Sequence, residues 1–389
     1  MDGGIAEVAR EGEMKRTFTI ERRPVPSGGI IFLISSLAFL AALFAAGIFF
    51  WAYGVSPLHA YYLIFQGALG SSLGLSETVR RAIPLLLCGV GLALAFQALF
   101  WNIGAEGQLL LGAVAATWVA LFSDLPNPLL IPAMLILGFL AGAAWAVLPA
   151  FLKAKMGVND VITTLMMNYI AMYLVLYLIH GPWKGKKMWG FPYTDIFPQA
   201  AWLPLIPGTR IHWLTLALGL FAALLVYILI TRTKQGFEIR VIGENPEAAR
   251  FAGISYLKTT ILVMFISGGL AGLAGVGEVA GVHHLLEDPS QISLGYGYTA
   301  IIVAWLARNN PLVVILTALL FGAIMAGGDV IKVSLGLPFE LVNVFNGLIL
   351  FFLISSEIFM RYRLRVIPAS GKRERRKEEW TGEAGSSER

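Results

Sequence analysis

Cysteine is nearly absent. Cys88 is the only one in 389 residues, which excludes an intrachain disulfide and a thiol-ligated metal cluster. Charge is scarce too: Asp, Glu, Lys and Arg make up 14% of the chain, against roughly 25% in soluble proteins. Ten of the 53 charged residues lie in residues 1–27 and fourteen in 361–389, which leaves 29 for the 333 residues between. So few charges cannot cover a water-facing surface, and the soluble multidomain layout that the length allows is excluded. The long uncharged stretches lack the alternation of a membrane β-barrel strand. No GxxxxGK[ST] loop and no HExxH pair occurs, so the sequence offers neither a phosphate-cradling loop for ATP nor a zinc-protease helix. No convergent nucleophile or acid–base pair stands out, and no catalytic, cofactor-binding or metal-binding residue is assigned.

Long apolar runs are what the chain does have. Windows without a formal charge include 28–76, 82–105, 107–123, 125–152, 161–183, 211–231, 259–277, 289–307, 309–328 and 341–356. Many approach the roughly 20 residues that a helix needs to cross the hydrocarbon. Unpaired backbone groups are costly there, so the spans are helical. The expected fold is an all-α polytopic membrane protein of about ten spans: 30–52, 83–101, 104–122, 129–151, 159–180, 212–231, 259–281, 294–307, 311–328 and 341–359. The eighth is short and reads as broken or re-entrant. Segment 57–76 is apolar enough to enter the membrane, but Gly67, Gly70 and Gly74 weaken a regular helix there.

Three regions follow: an N-terminal segment 1–28, a transmembrane domain 29–360, and a charged tail 361–389 nearly free of aliphatic residues, which reads as disordered. Ten spans put both ends on one side. That side then holds 22 Lys and Arg against seven on the other, so both termini are expected in the cytoplasm of a cell-membrane protein. Arg80–Arg81 and the Lys184–Lys187 cluster run against this trend. The basic groups gather at membrane boundaries and tails rather than on one continuous face, which speaks against nucleic acid and for contact with anionic lipid. The outer loop 181–210 mixes Trp183, Trp189, Phe191, Tyr193 and Trp202 with five prolines; it reads as an interfacial aromatic belt or as a docking face for an external partner.

Four constellations carry chemistry. Asn102-Ile-Gly-Ala-Glu106-Gly-Gln108 lies between two apolar runs, where Asn102, Glu106 and Gln108 each need a partner; a helix-terminus role and a gating role both remain open for Glu106. Asn159 can cap a helix on which Thr163 follows at four residues, with Thr164 and Asn168 on the adjacent face; interhelical bonding and a translocation path both fit. Glu278 precedes His283, His284, Glu287 and Asp288 and reads as a deep group facing a cavity. The charged loop 232–258 contains Asn245-Pro246, an N-cap followed by N1, then a very short helix that Gly253 ends. Glycine-rich runs such as 268–275 place small residues three and four apart for close helix contact.

NIGAEGQ at 102–108, GVNDVITTLMMNYIA at 157–171 and KQGFEIRVIGENPEAARFAGI at 234–254 carry a resemblance, continued by ISGGLAGLAG at 267–276, GYGYTAIIVAWLARNNP at 295–311 and LLFGAIMAGG at 319–328. The chain resembles permease subunits of ATP-binding cassette importers in the simple-sugar, nucleoside and branched-chain amino acid group, and looks most like the nucleoside type. The likeness covers roughly residues 30–360. It implies a cytoplasmic coupling helix in which Arg240, Gly243, Glu244, Asn245, Ala248, Ala249, Arg250 and Gly253 meet an ATP-binding subunit. It also implies a second permease subunit, homologous or identical, and an extracytoplasmic substrate-binding lipoprotein. ATP and Mg then belong to the partner ATPase. Asn102, Glu106, Gln108, Asn159, Thr163, Asn168 and Glu278 are the candidate path or gate residues for a nucleoside or simple sugar. An ion-coupled secondary transporter of small polar solutes is the alternative; it needs no ATPase.

The division of basic residues predicts that cysteines placed in 1–20 or 365–389 stay unlabelled by a membrane-impermeant thiol reagent in intact cells. Labelling of both tails from outside contradicts the ten-span scheme.

Overall fold

The computed structural model describes residues 16–22, 28–187, 190–336, 344–345, 347–349, 351–352, 355–356, 358–359 and 362–368. Trp189, much of the expected last span 341–359, and most of the segments 1–28 and 361–389 lie outside the described residues. The chain divides into two units, residues 1–49 with 347–389, and residues 50–346. In the first, β1 (Arg16–Arg22) pairs antiparallel with β2 (Tyr362–Pro368), Arg16 opposite Pro368 and Arg22 opposite Tyr362.

α1 (Gly28–Ala52) covers the expected first span. The second unit then runs through α2 (Pro57–Leu69), α3 (Ser72–Gln97), α4 (Ala105–Phe122), α5 (Asn127–Met156), α6 (Asp160–His180), α7 (Trp213–Arg232), α8 (Lys234–Glu244), α9 (Pro246–Phe251), α10 (Tyr256–Glu278), α11 (Pro289–Ser293), α12 (Tyr296–Leu306) and α13 (Pro311–Leu335). Among the described residues seven helices are long and apolar enough to cross a membrane, and an eighth crossing arises if α1 and α2 form one broken span. The chain is a multi-pass membrane protein. Its expected eighth span is indeed broken. α11 ends at Leu294 and Gly295, both at positive φ, and α12 has only 11 residues, about 16 Å of rise and half a bilayer.

One boundary moves substantially. The span expected from residue 83 starts at Ser72, so Arg80 and Arg81 lie inside α3 rather than in a loop. The reason is pairing. Arg80 bonds Glu77 one turn back, while Arg81 reaches Asp329 on α13 and donates to the Tyr296 hydroxyl at 3.1 Å. Guanidiniums neutralised in this way can stay in a helix interior, and they are not loop charges for setting topology. Segment 57–76 resolves into two helices: Gly70 ends α2, and the Ser71 hydroxyl accepts from Gly74 N at 3.0 Å to cap α3.

Small residues set the closest contacts. Along α4, α5 and α10 the backbones touch at Gly112, Gly142, Gly272 and Gly275; a Cβ on Gly142 would sit 2.8 Å from Gly272 Cα, and one on Gly275 would sit 2.8 Å from Ala113 N. Lipid supplies no hydrophobic drive between helices, so this contact area is gained only where side chains are missing. The outer loop 181–210 lies against the residues after α10: Thr194 N donates to Leu286 O at 3.0 Å, Phe197 N to His284 O at 2.8 Å and Leu203 N to Ala280 O at 2.9 Å. Trp202 stacks on His284 with ring centroids 3.9 Å apart.

Gly272→Leu should destabilise the detergent-purified protein by about 3 kcal/mol, since the added side chain meets backbone and has no flexible side chain to displace. Gly29→Leu, where an added Cβ meets nothing within 4 Å, serves as the control. Equal thermal unfolding of the two variants would refute the glycine contact.

Candidate functional site

The first site is the turn between α3 and α4. α3 ends at Gln97, Leu99 takes a positive φ of 52°, and α4 begins only at Ala105. Ala98, Leu99 and Phe100 N still donate to carbonyls of α3, but the backbone groups from Trp101 to Gly104 have no helix to satisfy them. α6 supplies the partners from one face, Asp160, Thr164 and Asn168, spaced by four. Asp160 Oδ2 accepts from Trp101 N at 2.7 Å, Thr164 Oγ1 from Ile103 N at 3.2 Å, and Asn168 Oδ1 from Gly107 N at 2.8 Å. Asn168 Nδ2 donates to Ile103 O at 2.8 Å and to the Tyr298 hydroxyl at 3.2 Å. Lys153 Nζ pairs with Asp160 at 2.6 Å.

Within the turn, Asn102 and Gln108 exchange two amide bonds, at 3.0 and 2.9 Å, and Asn102 Nδ2 also donates to Ser267 Oγ at 3.1 Å. Both side chains are buried. Glu106 stands in the first turn of α4 and accepts from Gly297 N, in the first turn of α12, at 2.7 Å. Its carboxyl therefore lies between two helix N-termini, where the partial positive charge of exposed N–H groups favours an anion. Asn102, Glu106, Gln108 and Asn168 come together in one buried network.

Asn159 and Thr163 do not join it. Asn159 caps α6, its Oδ1 accepting from Ile162 N at 3.2 Å, and the Thr163 hydroxyl donates to Asn159 O at 2.7 Å. They lie on the opposite, outward side of α6. Asp160, Thr164, Ser267 and Tyr298 are partners that the sequence reading left out of its candidate set. For Asp160 and Thr164, their fourfold spacing with Asn168 was the available signal.

Glu278 ends α10 and is fully buried. Neither carboxyl oxygen has a hydrogen-bond partner among the described residues. His283 Nε2 lies 3.8 Å away, and His283 Nδ1 contacts Glu287 at 2.6 Å. Among the described residues no group of three His, Cys, Asp or Glu is placed to hold a metal ion.

The second site is the charged loop. Thr233 caps α8, accepting from Gly236 N at 3.0 Å. Asn245 ends α8 and caps α9, its Oδ1 accepting from Glu247 N at 3.0 Å and Ala248 N at 3.1 Å; Pro246 occupies N1. Gly253, at φ +76°, reverses the chain. Ile239, Ile242 and Ala249 face the protein, while Ala248, Arg250, Glu244 and Glu247 face out. Gly243 lies so close to the Gln97 carbonyl that no Cβ fits. The Arg240 guanidinium donates to Ile230 O, tying α8 back to α7. Phe251, absent from the sequence-derived set, is 94% exposed.

A family model described as branched-chain amino acid transport system / permease component matches residues 74–354. The glucose ABC transporter permease protein TsgB13 of Haloferax volcanii is 39% identical over 356 residues, covering 89% of this chain and 92% of that protein. Two guanosine ABC transporter permease proteins of Bacillus subtilis also match. NupP is 33% identical over 83% of this chain and 93% of its own length, and NupQ is 26% identical over 64% of this chain and 80% of its own length. On the family match and the extent of these likenesses, the chain belongs to the branched-chain amino acid transport system permease family and is an ABC transporter permease.

Proposed function

We propose that this chain moves a nucleoside, or a simple sugar, inward across the cell membrane as the spanning subunit of an ATP-driven importer. Separate cytoplasmic subunits bind ATP and Mg and hydrolyse the nucleotide. A second permease subunit, homologous or identical, completes the path, and an external lipoprotein delivers the solute. Both termini face the cytoplasm. Nucleotide binding closes the inner side and opens the outer one by favouring one of two states of the permease pair.

The observation that carries this reading is α9. A six-residue helix between two spans, capped at its start and reversed by a glycine at its end, with a nearly bare phenylalanine, suits a docking element. An ion-coupled transporter needs no such knob. In this reading Phe251 fills a pocket on the ATPase, while Glu244, Glu247 and Arg250 form charge-assisted bonds at its rim. Ala249 packs against its own chain and Asn245 holds the helix start, so both shape the knob rather than touch the partner. Gly243 keeps the knob's base against α3. On the solute side, the buried network of Asn102, Glu106, Gln108 and Asn168 fixes the turn beside the path, and Glu278 stands near its outer part.

Phe251→Asp should lower both ATPase co-purification and ATP-driven uptake in reconstituted vesicles by at least about thirtyfold, the effect of losing a 2 kcal/mol anchor. Insertion and lipoprotein binding should be unchanged. Normal association and uptake would remove the docking assignment.

The solute class has its own test, a panel of nucleosides, ribose, glucose and branched-chain amino acids in the same vesicles. ATP-dependent uptake of a nucleoside is the expected result. Uptake of a simple sugar with no response to any nucleoside would reject the first choice in favour of the second.

A further inference from the structure

α6 carries a second face with a row of phenols that does not suit lipid. Opposite Asp160, Thr164 and Asn168 stand Tyr169, Tyr173 and Tyr177, with exposures of 49%, 64% and 66%. Spacing by four sets the three rings in one row, about 6 Å apart along the axis. Tyr169 is the tenth of the 21 residues of α6, so it lies at the middle of the span, roughly 14 Å from the helix start. Membrane tyrosines gather at the two interfaces, where the hydroxyl reaches water. Tyr177 is close enough to the helix end for that account; Tyr169 and Tyr173 are not.

None of the three hydroxyls makes a hydrogen bond to another of the described residues. Bare phenols at mid-span are costly in hydrocarbon. The other long helices show what a lipid face looks like in this protein. Mid-helix, α5 exposes Ile136, Leu137 and Leu140, α7 exposes Leu220, Phe221 and Leu224, and α13 exposes Leu316, Leu319 and Leu320. The same side of α6 also exposes Ile162, Met166 and Ile170, with exposed Asn159 at the helix start, so its phenols sit among apolar side chains.

We infer that this face of α6 lines the solute path, with Tyr169, Tyr173 and Tyr177 as successive stacking platforms for the ring of a nucleoside base or a sugar and their hydroxyls in water. The inference rests on the permease reading above and assigns residues to its path. Aromatic faces stack any base or sugar ring without reading it closely. Three similar platforms in line hold a solute at each step without trapping it, as passage requires.

The test uses the assembled transporter in vesicles. Cys88 is buried, so a Cys88→Ala background leaves single cysteines at 169, 173 or 177 as the only thiols. Leu140→Cys and Leu224→Cys report lipid, and Lys184→Cys reports open water. A charged methanethiosulfonate reacts with thiolate, which needs water. The three α6 positions should react within about tenfold of the Lys184→Cys rate, and the lipid controls at least about a hundredfold slower. Excess transported solute should protect position 173. Lipid or a dry contact with the second permease would leave all three α6 thiols unreactive and overturn the inference. In the second arm Tyr173→Leu should raise the KM for uptake about tenfold more than Tyr173→Phe, which keeps the ring; equal effects would overturn the stacking role. The two readings fail separately. Intact ATP-driven uptake with three unreactive thiols sinks only the α6 assignment. Reactive thiols in vesicles that move neither nucleosides nor sugars support a wet α6 face and sink the proposed solute class.

Discussion

Water is missing from the interior of this protein's surroundings, and that constraint governs its design. A helix satisfies its own backbone, but a break in a helix does not. The turn from Gln97 to Ala105 and the break at Leu294–Gly295 are such places. Each must be repaired by side chains from elsewhere in the chain. Asp160, Thr164 and Asn168 repair the first, and Glu106 meets the helix start that follows the second. The polar residues in these spans are therefore a consequence of broken helices as much as of a polar cargo. α4, α6 and α12 are tied together through them, because Asp160, Thr164 and Asn168 bind α6 to the turn, Asn168 also meets Tyr298 on α12, and Glu106 binds α4 to α12.

Features whose cause is local were legible in the sequence. Asn245-Pro246 announces a helix start because a cap and an N1 proline act within one turn. The glycine run 268–275 announces close packing because nothing but small residues permits it. The broken eighth span showed in its length. Features whose cause is distant were not legible. Arg81 looked like a loop charge because Tyr296 and Asp329, the partners that hold it inside α3, lie more than 200 residues away. Ala248 and Ala249 are indistinguishable as letters, yet one faces out and the other in. On α6 polar residues occur on both sides, so periodicity alone could not separate the structural row, Asp160 to Asn168, from the outward one that begins at Asn159. Phe251 was hidden for a related reason: an aromatic in a charged loop reads as packing, and which way it faces is set by the fold around it.

α6 then serves two masters. Its inward side is fully committed to the 101–107 turn, and substitution there leaves buried backbone groups unpaired. Its outward side carries rings with no committed hydroxyl. The outward side is thus freer to vary, whereas the inward side is held by the fold.

Asn245 is both the last cap of α8 and the first cap of α9, and Gly243 rests directly on the Gln97 carbonyl with no side chain between. Gln97 in turn donates to Asn309 O at 2.8 Å, in the tight turn between α12 and α13. Between α9 and the turn after α12 a shared residue, a bare backbone contact and one side-chain amide bond stand in series. Only the last of these links runs through a side chain, that of Gln97. In the proposed docking role, this chain of contacts runs from the loop to the end of the half-length helix α12.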